Sequence, residues 1–274
     1  MRNLLFAAGL LIVCSQEAAH AFDPKQIKAE VGMAFVASRW LNVSPGLVQW
    51  PESRYYQTNL ETRFAFNRVL LFHPSLRLRY GKFSVAYAYL SNSLPLELNS
   101  GAYRSDLREI SGAPIHPVRG HTFREHRFTL SYDLPDSRFA VFVEAVLAKR
   151  GIAGGYEDTI YEIHPFFSFS FFEKQTGLGL GLNVQQQLSN TAFILLGRLS
   201  VAPYTNGTYT FQRSLSAFEQ RKISGWNASL QTGFGYQIGS LTTRLTYNLQ
   251  TYRTYDRAIR DTFDNFELGA SFSF

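Results

Sequence analysis

The sequence predicts an all-β chain: a transmembrane, antiparallel, up-and-down β-barrel of about twelve strands, with ten or fourteen as alternatives. Three observations carry this. Apolar and polar residues alternate along most of the chain, the period of strands with two different faces. The alternating runs are about 10–15 residues long, whereas ordinary strands average about five or six and a tilted membrane-crossing strand needs ~9–11. Aromatic residues make up 15% of the 274, with 24 Phe and 15 Tyr, as lipid-facing walls with aromatic girdles require. That composition excludes a disordered chain. Beyond the N-terminus, no apolar run approaches the ~20 residues of a spanning helix; the longest, Phe139 to Ala148, is interrupted by Glu144. A soluble β-sandwich also alternates, but with shorter strands and no need for Tyr and Trp at their ends.

The N-terminus reads as a secretory signal peptide over residues 1–21. Arg2 supplies the positive start, Leu4 to Val13 the apolar stretch, and Ala19-His20-Ala21 the cleavage site. The barrel domain is then 22–274. The single cysteine, Cys14, lies within the signal, so the mature chain uses neither disulfides nor thiol chemistry. Val13 before it is branched, which argues against a lipoprotein signal. The formal net charge is +6, but the basic residues are scattered and form no tract, so nucleic acid is not an expected partner.

The C-terminus carries the clearest pattern. Phe266, Leu268, Ala270, Phe272 and Phe274 share one face; Asn265, Glu267, Gly269, Ser271 and Ser273 share the other. This ending resembles the final strand of bacterial outer-membrane β-barrel proteins, which finish on an aromatic residue preceded by apolar residues at every second position. The resemblance covers about ten residues. It implies an outer-membrane location in a Gram-negative cell and recognition by the barrel assembly machinery. Outer-membrane lipids and lipopolysaccharide are then the expected surroundings.

Strand 1 is expected at 26–38 and strand 2 at 56–71. Strand 3, at 76–91, switches its outward set at Gly81-Lys82, as a bulge or a two-residue hairpin would. Strands 4 and 5 follow at 122–132 and 138–149. Strand 6, at 157–172, contains Pro165, which cannot donate to a ladder. Strands 7, 8 and 9 are expected at 177–187, 191–202 and 208–218; strands 10 to 12 at 223–237, 240–252 and 263–274. An even count puts both termini in the periplasm. Segments 39–55, 92–121, 150–156, 188–190, 219–222 and 253–262 then become external loops. Residues 73–75, 133–137, 173–176, 203–207 and 238–239 become short turns.

The face opposite the apolar one lines the lumen. It carries Lys28, Arg63, Arg77, Arg79, Arg127, Arg198 and Arg244, with Glu30, Glu61, Glu144, Glu162 and Glu267. Charged rings in a water-filled pore set ion selectivity, so one reading is a porin-like channel for small polar or anionic solutes. Lys28, Arg63, Arg79, Arg127, Arg198, Arg244, Glu30, Glu144 and Glu162 are then its pore-lining residues. Gly177, Gly179 and Gly181 on strand 7 leave luminal volume, either as open space or for a folded loop such as 92–121. The competing reading is an occluded barrel braced by interior ion pairs, serving as a structural or partner-docking body.

The enzymatic alternative is an outer-membrane lipid hydrolase. His126 sits on the outward parity of strand 4 near its external end, with Ser91 and Ser93 on the neighbouring strand, so a rim Ser/His pair is geometrically accessible. His126 and Arg127 would otherwise meet lipopolysaccharide phosphates at the rim. His116, His121 and His126 are five apart and lack the carboxylate or Cys partners of a metal site; no metal or cofactor is expected.

Overall fold

The computed structural model describes residues 27–45, 61–91, 120–135, 137–156, 167–189, 191–213, 217–256 and 259–274. The segment expected as a signal peptide, Ser93, Glu162 and residues 92–119 of the expected 92–121 loop lie outside these, as does the side chain of Arg63.

Ten strands form one closed barrel. They are β1 (Ile27–Pro45), β2 (Glu61–Tyr80), β3 (Phe83–Ser91), β4 (Gly120–Asp133), β5 (Phe139–Tyr156), β6 (Phe167–Gln187), β7 (Phe193–Arg213), β8 (Ala217–Ile238), β9 (Leu241–Thr254) and β10 (Arg260–Ser273). Every strand is antiparallel to its sequence neighbours, and β1 closes the ring against β10, with Val31 opposite Phe272. Each strand pairs with a neighbour on both sides, so along the paired stretches backbone polar groups are satisfied within the wall, as a bilayer demands.

The expected count of about twelve is corrected to ten, and each change has a local cause. The expected strands 6 and 7 are one strand: β6 runs through Glu173–Thr176 without turning. The expected strands 8 and 9 are likewise one: β7 runs through Pro203–Gly207. Its register shifts between Val201 and Tyr204 against β6 and between Ala202 and Thr205 against β8, where Pro203, without an N–H, is accommodated as a bulge. Between β2 and β3, His73-Pro74-Ser75 is not a turn. The chain reverses at Gly81-Lys82, where Gly81 has φ 57°, the left-handed conformation that a two-residue hairpin needs and glycine adopts without steric cost. Gly239, also at φ 57°, turns β8 into β9.

Three expected loops are reassigned. Residues 188–190 join the short-turn end, 219–222 fall inside β8, and 150–156 fall inside β5, where strand pairing continues beyond the apolar stretch. The turns at 81–82, 134–138, 188–192 and 239–240 share one end with the start of β1 and the close of β10; the other end carries the connections 46–60, 92–119, 157–166, 214–216 and 255–259, most of them longer. By that asymmetry the first end is periplasmic and the second external.

The outward face is an apolar belt. Met33, Phe35, Leu78, Val85, Phe128, Leu147, Leu180, Leu199, Leu230, Leu245, Phe266 and Leu268 are all exposed on it, with Leu178 reaching 74%. A continuous apolar surface of this size fits lipid, not water. Aromatic residues flank it on the periplasmic side, where Phe83 packs on Tyr132 and Phe193 on Tyr236. The strands outlast the belt: β8 has 22 residues, about twice what the bilayer needs.

Candidate functional site

The inward face gathers charges into stacked layers. Lowest, near the periplasmic turns, Arg77 meets Glu30 at 3.5 Å and Arg79 meets Asp133 at 2.5 Å. Both cations are about half exposed, so screening leaves each pair worth little. Lys28 stands opposite Arg79 across the β1–β2 ladder and is exposed.

The middle layer lies at the height of the belt. Glu144 of β5 accepts from Arg198 of β7 at 2.5 Å and faces Arg127 of β4 at 3.8 Å. Arg127 donates to Glu125 at 2.6 Å. The Arg198 guanidinium lies over the Phe142 ring, 3.9 Å from its centroid. On the other side, Glu267 of β10 binds Arg244 of β9 at 3.0 Å and His73 of β2 at 3.1 Å. Ser200 with Ser229 (2.8 Å) and Gln231 with Thr246 (3.0 Å) fill the intervening wall. Buried charges persist only when paired and hydrogen-bonded; here each named carboxylate has at least one cation.

The upper layer lies above the belt, where Lys149 and Lys174 already face outward into a polar environment. Its centre is Arg150 of β5, 1% exposed. One guanidinium nitrogen lies 3.6 Å from Glu125; another lies 3.6 Å from Asp261 of β10, itself 0% exposed. The guanidinium stacks over Phe263 at 4.4 Å and Phe123 at 5.6 Å, and those rings meet edge to face at 5.5 Å. Such contacts stabilise a desolvated cation. Glu173 of β6 is fully buried beside them, accepts from Gln175, and shares a hydrogen bond with Asp261. Burial, with the Asp261 carboxylate next, holds Glu173 well above the usual carboxylate range.

β5 and β10 stand five places apart in the ring of ten, so Arg150 and Asp261 reach each other from opposite sides. The barrel is crossed by its own side chains. Below that crossing, a luminal cavity lined by Arg127, Glu144, Gln175, Ser200, Ser229 and Gln250 measures about 10 Å³, room for about one water.

The glycines of β6 take part in this filling. A Cβ on Gly181 would lie 2.4 Å from the Phe142 ring, and one on Gly179 would lie 3.2 Å from Cγ of Glu144. Their missing side chains make room for the large residues of β5 that fold across them.

Of the residues expected to line a pore, Arg127, Arg198, Arg244 and Glu144 come together in the middle layer, while Glu30, Arg79 and Lys28 stay at the periplasmic end. The expectation missed Arg150, Glu173 and Asp261, which had been placed in loops or a turn. Continuing the inward parity of β5 from Glu144 through Val146 and Ala148 reaches Arg150, a signal present in the sequence.

At the outer rim, His126 faces outward. Its Nδ1 is hydrogen-bonded with the Tyr87 hydroxyl at 2.9 Å, and its ring packs on Tyr89 at 4.8 Å. Ser91 is buried, one position higher on the same face, opposite Arg124. Among the described residues no group of His, Cys, Asp and Glu could hold a metal ion.

No protein-family profile matches the chain, and no curated protein is a detectable sequence relative. Solved structures do match its fold. The outer membrane protease OmpT from Escherichia coli aligns over 93% of this chain and 98% of its own, with TM-score 0.56 and 11% identity. Ail, the attachment invasion locus protein of Yersinia pestis, covers 90% and 98%, with TM-score 0.34 and 11% identity. The toluene transporter TodX of Pseudomonas putida covers 92% and 90%, with TM-score 0.35 and 10% identity. At these identities the likeness is one of fold, and on the OmpT alignment the chain has the closed antiparallel barrel fold found among bacterial outer-membrane proteins.

Proposed function

We propose that this chain is an occluded outer-membrane barrel, whose interior is a charge-braced core and whose working surfaces are its external end and outer wall. The observation that carries the reading is the contact between Arg150 and Asp261 across the full width of the lumen. A conducting pore needs a continuous water column, and ion pairs buried across the lumen favour a barrel without one. The small residues of β6 favour the same reading, because neighbouring side chains occupy the volume they release.

The rival is the porin-like channel, in which Arg127, Arg198 and Arg244 would tune ion selectivity. Conductance of the folded protein in a planar lipid bilayer separates the two. The occluded barrel gives no steps beyond bare lipid, and Arg150→Ala with Asp261→Ala opens at most rare, small ones. Reproducible steps from the unmodified protein, with selectivity altered by Arg198→Gln, would overturn the reading.

A further inference from the structure

The lumen holds a cavity of about 10 Å³, whereas a groove on the outer wall measures about 450 Å³, within the ~300–1,000 Å³ usual for ligand sites. Its lower border is one row of directly paired residues that crosses five strands. The row runs from Tyr87 of β3 through Leu76 of β2, Val31 of β1 and Phe272 of β10 to Leu241 of β9. Directly paired residues share a face, and the last four are exposed on the outward one. The floor is the next outward row, where Met33 stands between the short side chains of Pro74 and Ala270. The row above that returns to bulk with Phe72, Phe35 and Leu268. A short row between two bulky ones makes a trough, and its lining is almost wholly apolar.

The slope of the trough decides what fits it. Tyr87 is the fifth residue of β3 counted from the periplasmic turn, whereas Leu241 is the first of β9. The trough therefore opens at the periplasmic rim, beside the Gly239 turn, and climbs from there towards Tyr87. Its length is four strand spacings, about 19 Å. The climb is four residues of a tilted strand, about 10 Å. One leaflet of a bilayer has about 15 Å of hydrocarbon, so the trough lies within the periplasmic leaflet and ends before the midplane. The rim it opens on is basic: Lys28, Lys82 and Arg138 are exposed there, beside the paired Arg77 and Arg79.

We propose that the trough holds one acyl chain of a periplasmic-leaflet phospholipid, with the phosphate of that lipid at the basic rim. Among lipid tails there is no hydrophobic gain, so a chain is selected by van der Waals packing. A trough touches a chain on three sides, where the rest of the belt touches it on one. The unbranched Met33 side chain adapts to the chain lying on it. The inference rests on the membrane placement of the belt and is independent of whether the lumen conducts.

The test is a titration of the refolded full chain in detergent with a diacyl phosphatidylglycerol, read by native mass spectrometry. One lipid should bind per chain. Ala270→Phe, which fills the floor, should weaken binding by about tenfold, the loss of about ten atom contacts. Ala145→Leu adds bulk to the outward face of β5, far from the trough, and should leave binding within about twofold. Diacylglycerol with the same chains should bind about fivefold more weakly, for want of a phosphate at a basic rim. Chain-free glycerophosphate should not compete. Should Ala270→Phe fail to fold, Met33→Trp replaces it with the same expected loss. Equal binding by the filled and control variants, equal binding of diacylglycerol, displacement by glycerophosphate, or a protein dimer that Ala270→Phe dissociates would each overturn the proposal. Flotation of the protein with phospholipid vesicles reports membrane placement separately, so a failed titration with flotation intact strikes the lipid site alone.

Discussion

Arg150 and Asp261 meet at 3.6 Å although their strands stand on opposite sides of the ring. The contact ties opposite sides of the wall together, as the occluded barrel proposed above requires. Its two members depend on each other, because neither charge has access to water.

Removing one partner therefore costs more than removing both. Asp261→Ala should destabilise the barrel by about 3–5 kcal/mol, the usual consequence of stranding a buried charge. Arg150→Met combined with Asp261→Leu should recover most of that loss. Urea unfolding in detergent, followed by tryptophan fluorescence, measures both. Equal losses in the single and double variants would show that the pair is not coupled.

Stability should fall as pH rises through the range set by Glu173. Its folded-state proton affinity is raised by burial and by Asp261, so the folded chain keeps a proton that the unfolded chain releases near the ordinary Glu value of about 4.3. Its favourable contribution is fully present below that value and is gone once pH passes the raised folded value. Glu173→Gln should flatten this decline and stabilise the protein at neutral pH. A variant with an unchanged pH profile would remove Glu173 as its source.

A side chain at Gly181 should strain the wall. Its Cβ would meet the backbone oxygen of Leu199 at 2.1 Å as well as the Phe142 ring. Gly181→Val should cost about 1–3 kcal/mol by overpacking. Phe142→Ala in that background should relieve only part of it, because the backbone contact persists. Thermal unfolding read by electrophoretic mobility reports the order.

Luminal thiols should be shielded. The processed chain is expected to lack cysteine, since Cys14 falls in the signal segment. Ser229→Cys, buried in the lumen, should resist a charged maleimide for hours, while Thr176→Cys, exposed on the outer wall, should react within minutes. Rapid labelling of both would show water reaching the middle layer.

The sequence made the belt legible and left the upper half of the wall obscure. Along Phe266, Leu268, Ala270, Phe272 and Phe274 the lipid imposes strict alternation, and that strand sits where the pattern puts it. Above the belt the outward face meets water. Glu173, Lys174, Gln175 and Thr176 then read as a polar turn, although hydrogen bonding continues through them. Pro203 and Gly207 look like punctuation, yet a bulge absorbs the proline within β7. Hydropathy marks where lipid is, and pairing extends beyond it. The same effect hid the upper charges: Arg150 follows Lys149 at the point where the apolar signal stops, although it keeps the inward parity of Glu144.

The length of these strands has a mechanical consequence. The 22 residues of β8, at about 3.3 Å each and tilted by roughly 40°, rise about 55 Å. The hydrocarbon core occupies about 25–30 Å of that, and the periplasmic turns are short. The remaining height is a collar of paired strands standing clear of the acyl chains. Anything arriving from outside the cell therefore meets a protein parapet before it meets lipid.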